Sequence, residues 1–203
     1  NIPLINHMSS LGYKCIIGDE EDVLSRYVEA AQITGANSIV RITGDCPLVD
    51  PILVDQIVKK FIQSEVDYAS NTFPPTYPDG LDVEVFKSES ILRAGIEAKD
   101  SFDREHVTPY FRSSGNFKTY SFKNCEDLSS LRWTVDEELD FKVVENIFKY
   151  FSPQILFSWK EVLEITRKNP ELYSINSNIK RNEGSYMNKS QKLWKRAKGI
   201  IPG

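Results

Sequence analysis

Cysteine and histidine are scarce in this 203-residue chain. Its three cysteines, Cys15, Cys46 and Cys125, are odd in number and far apart, a pattern that fits neither a disulfide framework nor a zinc ribbon. Free thiols point to a reducing, cytoplasmic setting. The two histidines, His7 and His106, are equally distant, so spacing indicates no Cys/His metal site. No apolar run approaches the roughly 20 residues needed to span a bilayer, and no signal peptide is present, so no membrane role is expected. No long basic block precedes the C-terminus and the formal net charge is -4, which argues against nonspecific nucleic-acid binding. Gly-x-Gly-x-x-Gly, Walker and Gly-x-Ser-x-Gly signatures are all missing.

What is present is ordinary for a globular domain. Hydrophobic residues make up 40% and charged residues 27%, enough for one substantial core. Leu4–Leu11 reads as a short helix ending at Gly12, and Tyr13–Ile17 as a short strand. Val23, Leu24, Tyr27, Val28 and Ala31 then recur at helical spacing up to Gly35. Ser38–Ile42 reads as a buried parallel strand because it is apolar and β-branched. Asp50-Pro51 reads as a helix start, with Asp50 as cap and Pro51 at the first helical position. Further strands are expected over Val66–Ser70, Asp82–Phe86, Lys118–Phe122 and Leu131–Val135. Helices are expected from a Ser88 cap to Ala98, over Arg104–Arg112, Glu137–Tyr150 and Trp159–Lys168. Alternating strands and helices predict an α/β domain with a mostly parallel sheet. The pattern changes after Lys180, where a linker leads into the basic amphipathic stretch Lys189–Lys198. The chain opens on Asn1 and enters a helix with no strand before it, and both ends read as cuts from a longer protein.

In open α/β sheets, ligands bind beyond the carboxyl ends of strands. Asp45 and Asp136 each follow a predicted strand, and two converging carboxylates would suit Mg²⁺ bound together with phosphate oxygens. An aspartate in such a place is also a common turn former or helix cap. Tyr77-Pro78-Asp79-Gly80-Leu81-Asp82 carries an ordinary turn signature, and alternatively presents Asp79 or Asp82 to sugar hydroxyls. Arg104, His106, Tyr110 and Arg112 lie on one short segment; the arginines suit either a substrate carboxylate or surface ion pairs. Trp133 reads as core. Cys46 adjoins Asp45, but no nearby base supports a nucleophile.

Five segments together resemble one family. They are Gly18–Tyr27 (Gly-Asp-Glu-Glu-Asp-Val-Leu-Ser-Arg-Tyr), Val40–Leu48 (Val-Arg-Ile-Thr-Gly-Asp-Cys-Pro-Leu), Tyr77–Phe86, Arg104–Tyr110 and Leu131–Glu137. The chain resembles the spore coat polysaccharide biosynthesis protein F group, akin to CMP-KDO and acylneuraminate cytidylyltransferases, from about Leu4 to Glu183. The resemblance implies a Rossmann-like GT-A fold and transfer of CMP from CTP to a sugar with release of pyrophosphate. It implies Asp45 and Asp136 as catalytic, Mg²⁺-binding carboxylates. It places Asp22, Arg26 and Gly44 on the nucleotide side, and Asp79, Asp82, Arg104, His106 and Tyr110 on the sugar side. Family members open with a first strand and a basic, glycine-containing loop that cradles the triphosphate. Neither occurs here, so residues 1–183 read as a partial domain, expected to be inactive and poorly stable alone. Residues 189–203 resemble the start of class III, pyridoxal-phosphate-dependent aminotransferases, which implies a fused parent protein with residues 184–203 as linker and start of a second domain. The substrates implied are CTP and an acidic or other sugar, and homodimer formation stays open. Two competing readings are a GT-A glycosyltransferase and a noncatalytic nucleotide- or sugar-binding module beside the aminotransferase.

Overall fold

The computed structural model describes residues 2–171 and 175–181. The predicted linker and aminotransferase-like stretch beyond Arg181 lie outside the described residues. The chain divides into two compact units, residues 1–41, 60–69 and 85–120 in the first, and 42–59, 70–84 and 121–203 in the second. The elements, in order, are α1 (Ile2–Ser10), α2 (Val23–Thr34), β1 (Ser38–Arg41), α3 (Pro51–Ser64), β2 (Tyr68–Ser70), β3 (Glu84–Lys87), α4 (Ser88–Glu97), α5 (Ser101–His106), α6 (Pro109–Ser113), β4 (Thr119–Ser121), α7 (Glu138–Phe151) and α8 (Trp159–Lys168). No helix among the described residues is long and apolar enough to cross a membrane.

The first unit is built on aromatic packing. Helix α2 starts where the Asp22 side chain accepts the Ser25 amide, and ends at Gly35, whose φ of 63° is left-handed. Leu24 and Ala31 on its inner face join Tyr68, Phe86, Ile91, Ala94, Val107 and Phe111 in one buried cluster. Phe111 stacks on both Tyr68 and Phe86, with ring centroids 5.4 and 5.6 Å apart. Removing such a side chain from water contributes roughly 1.5–3 kcal/mol.

The strands form one sheet in the order β1-β3-β2-β4. The Asn71 amide donates to Val83 O and the Lys87 amide to Asp67 O, so β2 and β3 are antiparallel. The Tyr68 amide donates to Lys118 O and the Phe122 amide to Ser70 O, so β2 and β4 are parallel. The sheet is therefore mixed, where the alternation predicted a mostly parallel one: β3 returns against its neighbours without a crossover helix. Strand β1 is the outermost strand rather than a buried one, and Val40 and Ile42 are 42% and 40% exposed. Tyr13–Ile17 forms no strand. Arg104–Arg112 is two helices rather than one, because Val107 takes a φ of 71° between α5 and α6. Ser88 is the first residue of α4 rather than its cap; its hydroxyl donates to Ala36 O instead.

The second unit gathers Leu53, Ile57, Leu81, Val83, Trp133, Val143, Ile147 and Val162, each at most 1% exposed. Its polar anchor is Asp50, which is 3% exposed. One carboxylate oxygen accepts the amides of Ile52 and Leu53 at the start of α3. The other accepts the Trp159 amide at the start of α8. A single buried carboxylate thus satisfies orphan donors of two helices. Replacing Asp50 with Ala should lower stability by about 2–4 kcal/mol, since each cap contributes about 1–2 kcal/mol. Urea denaturation monitored by circular dichroism measures that loss.

Candidate active site

Leu131–Val135 was expected as a strand, and the structure makes it an extended segment with a single parallel bridge, Asp79 to Arg132. Its backbone is held from two sides. The Asp79 amide donates to Leu131 O at 2.9 Å, and the Trp133 amide donates to Asp79 O at 2.7 Å. Further along, the Val135 amide donates to Asp45 O at 2.8 Å. Gly80 lets this approach happen. At φ 101°, a Cβ there would lie 2.5 Å from both Thr134 N and Trp133 C.

Extended backbone alternates its side chains, so Arg132, Thr134 and Asp136 fall on one side and Trp133 on the other. Trp133 is fully buried, as the sequence predicts for a core residue. Thr134 reaches Asp45, its hydroxyl 3.1 Å from both Asp45 O and Asp45 Oδ2. Arg132 is 7% exposed and meets three carboxylates. Its Nε and Nη2 bond both oxygens of Asp140 at 2.9 and 2.8 Å. Nη1 bonds Asp79 Oδ2 at 3.1 Å, and Nη2 also bonds Asp136 Oδ2 at 2.8 Å.

The carboxylates around this guanidinium titrate differently, and hydrogen bonding explains why. Burial works against the Asp140 charge, but bonds from Arg132, Asn176 and the Asp136 amide hold its carboxyl below the usual range. Burial also disfavours the Arg132 charge, and Asp140 more than offsets it, so the guanidinium stays protonated. Asp79 has fewer donors, and burial pushes its carboxyl up to about 6 against the pull of Arg181 and Arg132. The Asp136 carboxyl is raised by burial and then by the negative charge of Asp45. Asp82 is raised by burial, with Arg181 opposing. Arg181 holds that loop: Nη2 bonds Asp82 Oδ1 at 2.6 Å, Nη1 bonds Tyr77 O at 3.2 Å, and Nε lies 3.6 Å from Asp79 Oδ1.

The residues proposed from sequence therefore divide. Gly44, Asp45, Asp79, Asp82 and Asp136 belong to the second unit, and the four carboxylates come together there. Nothing lies within 4 Å of a Cβ built on Gly44, so packing does not demand glycine there. Asp22, Arg26, Arg104, His106 and Tyr110 belong to the first unit. Asp22, besides capping α2, pairs with Arg104 Nη2 at 2.6 Å, and Arg104 Nη1 also bonds Gly95 O and Ala98 O. Arg26 packs its side chain against Gly18. His106 lies against the Phe102 ring, centroids 4.4 Å apart, and Tyr110 donates to Glu97 Oε2 at 3.1 Å. Cys46 is buried and its thiol is pushed up to about 12 by desolvation, which agrees with a non-nucleophilic role. Sequence reasoning missed Arg132, Thr134, Asp140 and Arg181 as members of the cluster. Among the described residues, no group of three or more His, Cys, Asp and Glu is arranged to hold a metal ion; the Asp45–Asp136 pair offers two carboxylates.

Comparison with known proteins bears on what this cluster does. A family model described as Cytidylyltransferase matches residues 5–140. The chain is 34% identical over 180 residues to Uncharacterized protein MJ1063 of Methanocaldococcus jannaschii, covering 87% of this chain and 72% of that one. It is 26% identical over 169 residues to Spore coat polysaccharide biosynthesis protein SpsF of Bacillus subtilis, covering 81% and 69%. A solved structure of a cytidylyltransferase from Leptospira borgpetersenii matches with a TM-score of 0.80 at 29% identity, over 89% of this chain and 75% of that one.

Two outcomes follow from the geometry. Folding raises Asp79 from about 3.9 to about 6, so the folded chain binds a proton that the unfolded chain has lost in that interval. Its stabilising contribution is full below about pH 4 and disappears as pH rises through about 6, a change of about 3 kcal/mol. Denaturant midpoints for the unsubstituted chain, relative to Asp79→Asn, should fall across that window. Gly80→Ala should cost about 2–5 kcal/mol, combining a positive φ with a clash against backbone rather than a movable side chain; its denaturant midpoint would register this.

Proposed function

This chain belongs to the cytidylyltransferase family, which transfers CMP from CTP with release of pyrophosphate, and we propose that Asp45 and Asp136 are the carboxylates that hold its divalent cation while a sugar hydroxyl is the acceptor. The observation that carries this reading is their convergence. Both are tied to the extended segment before α7, and Asp45 is close enough for its charge to raise the Asp136 carboxyl. Thr134 engages Asp45 Oδ2, with Cys46 Sγ 3.9 Å from Oδ1, and Arg132 engages Oδ2 of Asp136. Two hard oxygen donors under mutual repulsion suit Mg²⁺, which commonly takes one or two carboxylates and completes its shell with water and phosphate oxygens. When bound, Mg²⁺ supplies charge neutralisation at the α-phosphate and the attacking oxygen.

In the reaction, the acceptor oxygen forms a bond to the α-phosphorus as the bond to the bridging oxygen breaks. Pyrophosphate leaves with the electron pair and the hydroxyl proton passes to solvent water. The chain's contribution is position and charge. The single Thr134 hydroxyl proton is shared between the backbone carbonyl and the carboxylate of Asp45. Gly44, with open space where a Cβ would stand, leaves room for close approach by the nucleotide. Asp82, held by Arg181, is the carboxylate offered to acceptor hydroxyls.

The α/β fold is read further as a Rossmann-like GT-A type. Support comes from the one inverted strand within the sheet, which runs among the described residues in the order β1-β3-β2-β4. A role in cell-surface polysaccharide biosynthesis is proposed from the likeness to SpsF, and a cytoplasmic setting from the three free cysteines.

The test, on the full-length protein, is pyrophosphate release from CTP with Mg²⁺ and a panel of acidic and neutral sugars. Asp45→Asn should lower that rate on the order of 10²–10³-fold, as removal of a key charge-stabilising group does. An undiminished rate in that variant would reject the catalytic role of Asp45. Release of a nucleoside diphosphate from a nucleotide sugar would favour a glycosyltransferase instead.

A further inference from the structure

Asp136 begins the turn into α7, and its side chain is half exposed. A carboxylate in such a place samples several rotamers unless something fixes it. The bond that fixes it comes from Arg132, at 2.8 Å. Arg132 is itself immobile from every side. Asp140 grips the guanidinium at two atoms, and Asp79 takes Nη1. Its backbone bridges to Asp79, and its carbonyl accepts from Asn176 Nδ2 at 3.1 Å. Asp140 also accepts the amides of Asp136 and Glu137 at 3.1 and 3.0 Å, so the same carboxylate orients the backbone and, through Arg132, the side chain of Asp136.

Resting on the reading that Asp45 and Asp136 hold the divalent cation, we propose that Arg132 is a positioning residue for that pair, its guanidinium fork, clamped by Asp140 and steadied by Asp79, setting where the Asp136 carboxylate stands. Arg132 touches no reactant; it acts through Asp136. The role needs a planar fork rather than a positive charge alone. Four contacts to three carboxylates exceed what the single nitrogen of a lysine can reproduce. Asp79 belongs to the same device. It is 7% exposed, with Oδ2 on Arg132 and Oδ1 beside Arg181, so it is placed to hold arginines rather than sugar hydroxyls. Alternating charges thus run from Asp136 through Arg132, Asp79 and Arg181 to Asp82.

Mn²⁺ binding, measured from the electron paramagnetic resonance of the free ion with and without CTP, reads this directly without turnover. Arg132→Lys keeps the charge, so electrostatic attraction for the cation is unchanged and only the fork is lost. Its Mn²⁺ dissociation constant should rise about 10- to 100-fold, the usual effect of removing an outer-shell partner. Should that variant fail to fold by circular dichroism, a second comparison decides. Asp79→Asn and Asp82→Asn remove equal charge. Asp79 and Asp82 each feel one member of the pair, Asp79 the charge of Asp136 and Asp82 that of Asp45, but only Asp79 bonds Arg132. Charge removal alone makes the two variants comparable in their effect on Mn²⁺ binding; positioning through Arg132 makes Asp79→Asn the more harmful. A folded Arg132→Lys with unaltered Mn²⁺ affinity, or an Asp79→Asn effect no larger than that of Asp82→Asn, overturns the proposal. Asp45→Asn is the control for the underlying reading: if the unsubstituted chain binds no Mn²⁺, or Asp45→Asn binds it equally well, the cation assignment itself fails.

Discussion

A buried guanidinium must be compensated wherever it lies, and the second unit is arranged around that requirement at Arg132. An uncompensated charge in such a place costs several kcal/mol. Compensation comes from Asp140, Asp79 and Asp136, which arrive from the start of α7, from the loop before β3 and from the end of the extended segment. Satisfying one side chain therefore brings three acidic positions together. The backbone contacts of Asp79 and Asp45 to the same segment then leave little freedom in how these loops meet.

The opposite behaviour of neighbouring carboxylates follows from the supply of donors rather than from burial alone. Asp140 is the most enclosed, yet its carboxyl is held low, because amides, an asparagine and both arms of Arg132 converge on it. Asp136 and Asp45 are left with mutual repulsion and with lone pairs to spare. Strong internal pairing is concentrated on the residue that builds the site, while Asp136 shares Arg132 with two other carboxylates and Asp45 is bonded by the Thr134 hydroxyl. Asp79 and Asp82 are both raised by burial, and they differ in their partners. Asp79 lies between two arginines, whereas Asp82 keeps a partly open carboxylate.

Local chemistry was legible in the sequence where it was self-contained. Gly35 ends α2 as its residue type suggests, Asp50-Pro51 opens α3, and Trp159–Lys168 is helical as its periodicity indicates. The carboxylates at 45 and 136 could be named because each follows an extended run. Legibility failed where the outcome depends on distant partners. An apolar β-branched run such as Ser38–Ile42 does not say whether one neighbour or two will cover it. The direction of β3 depends on its neighbours, not on its residues. Arg132 lies inside the Leu131–Glu137 motif, where alternation with Trp133 and Val135 marks its face as polar without naming its partners. Arg181 carries no local signal at all, since its contact with Asp82 spans 99 residues.

The double cap at Asp50 has a kinetic side. One oxygen serves amides two and three residues ahead, and the other waits for an amide 109 residues further along. During synthesis, α3 can begin at once, but its capping group keeps an unspent acceptor until the start of α8 leaves the ribosome. Completion of the second unit is thereby a late, long-range event, of the kind that slows folding because loop closure precedes the reward of contact.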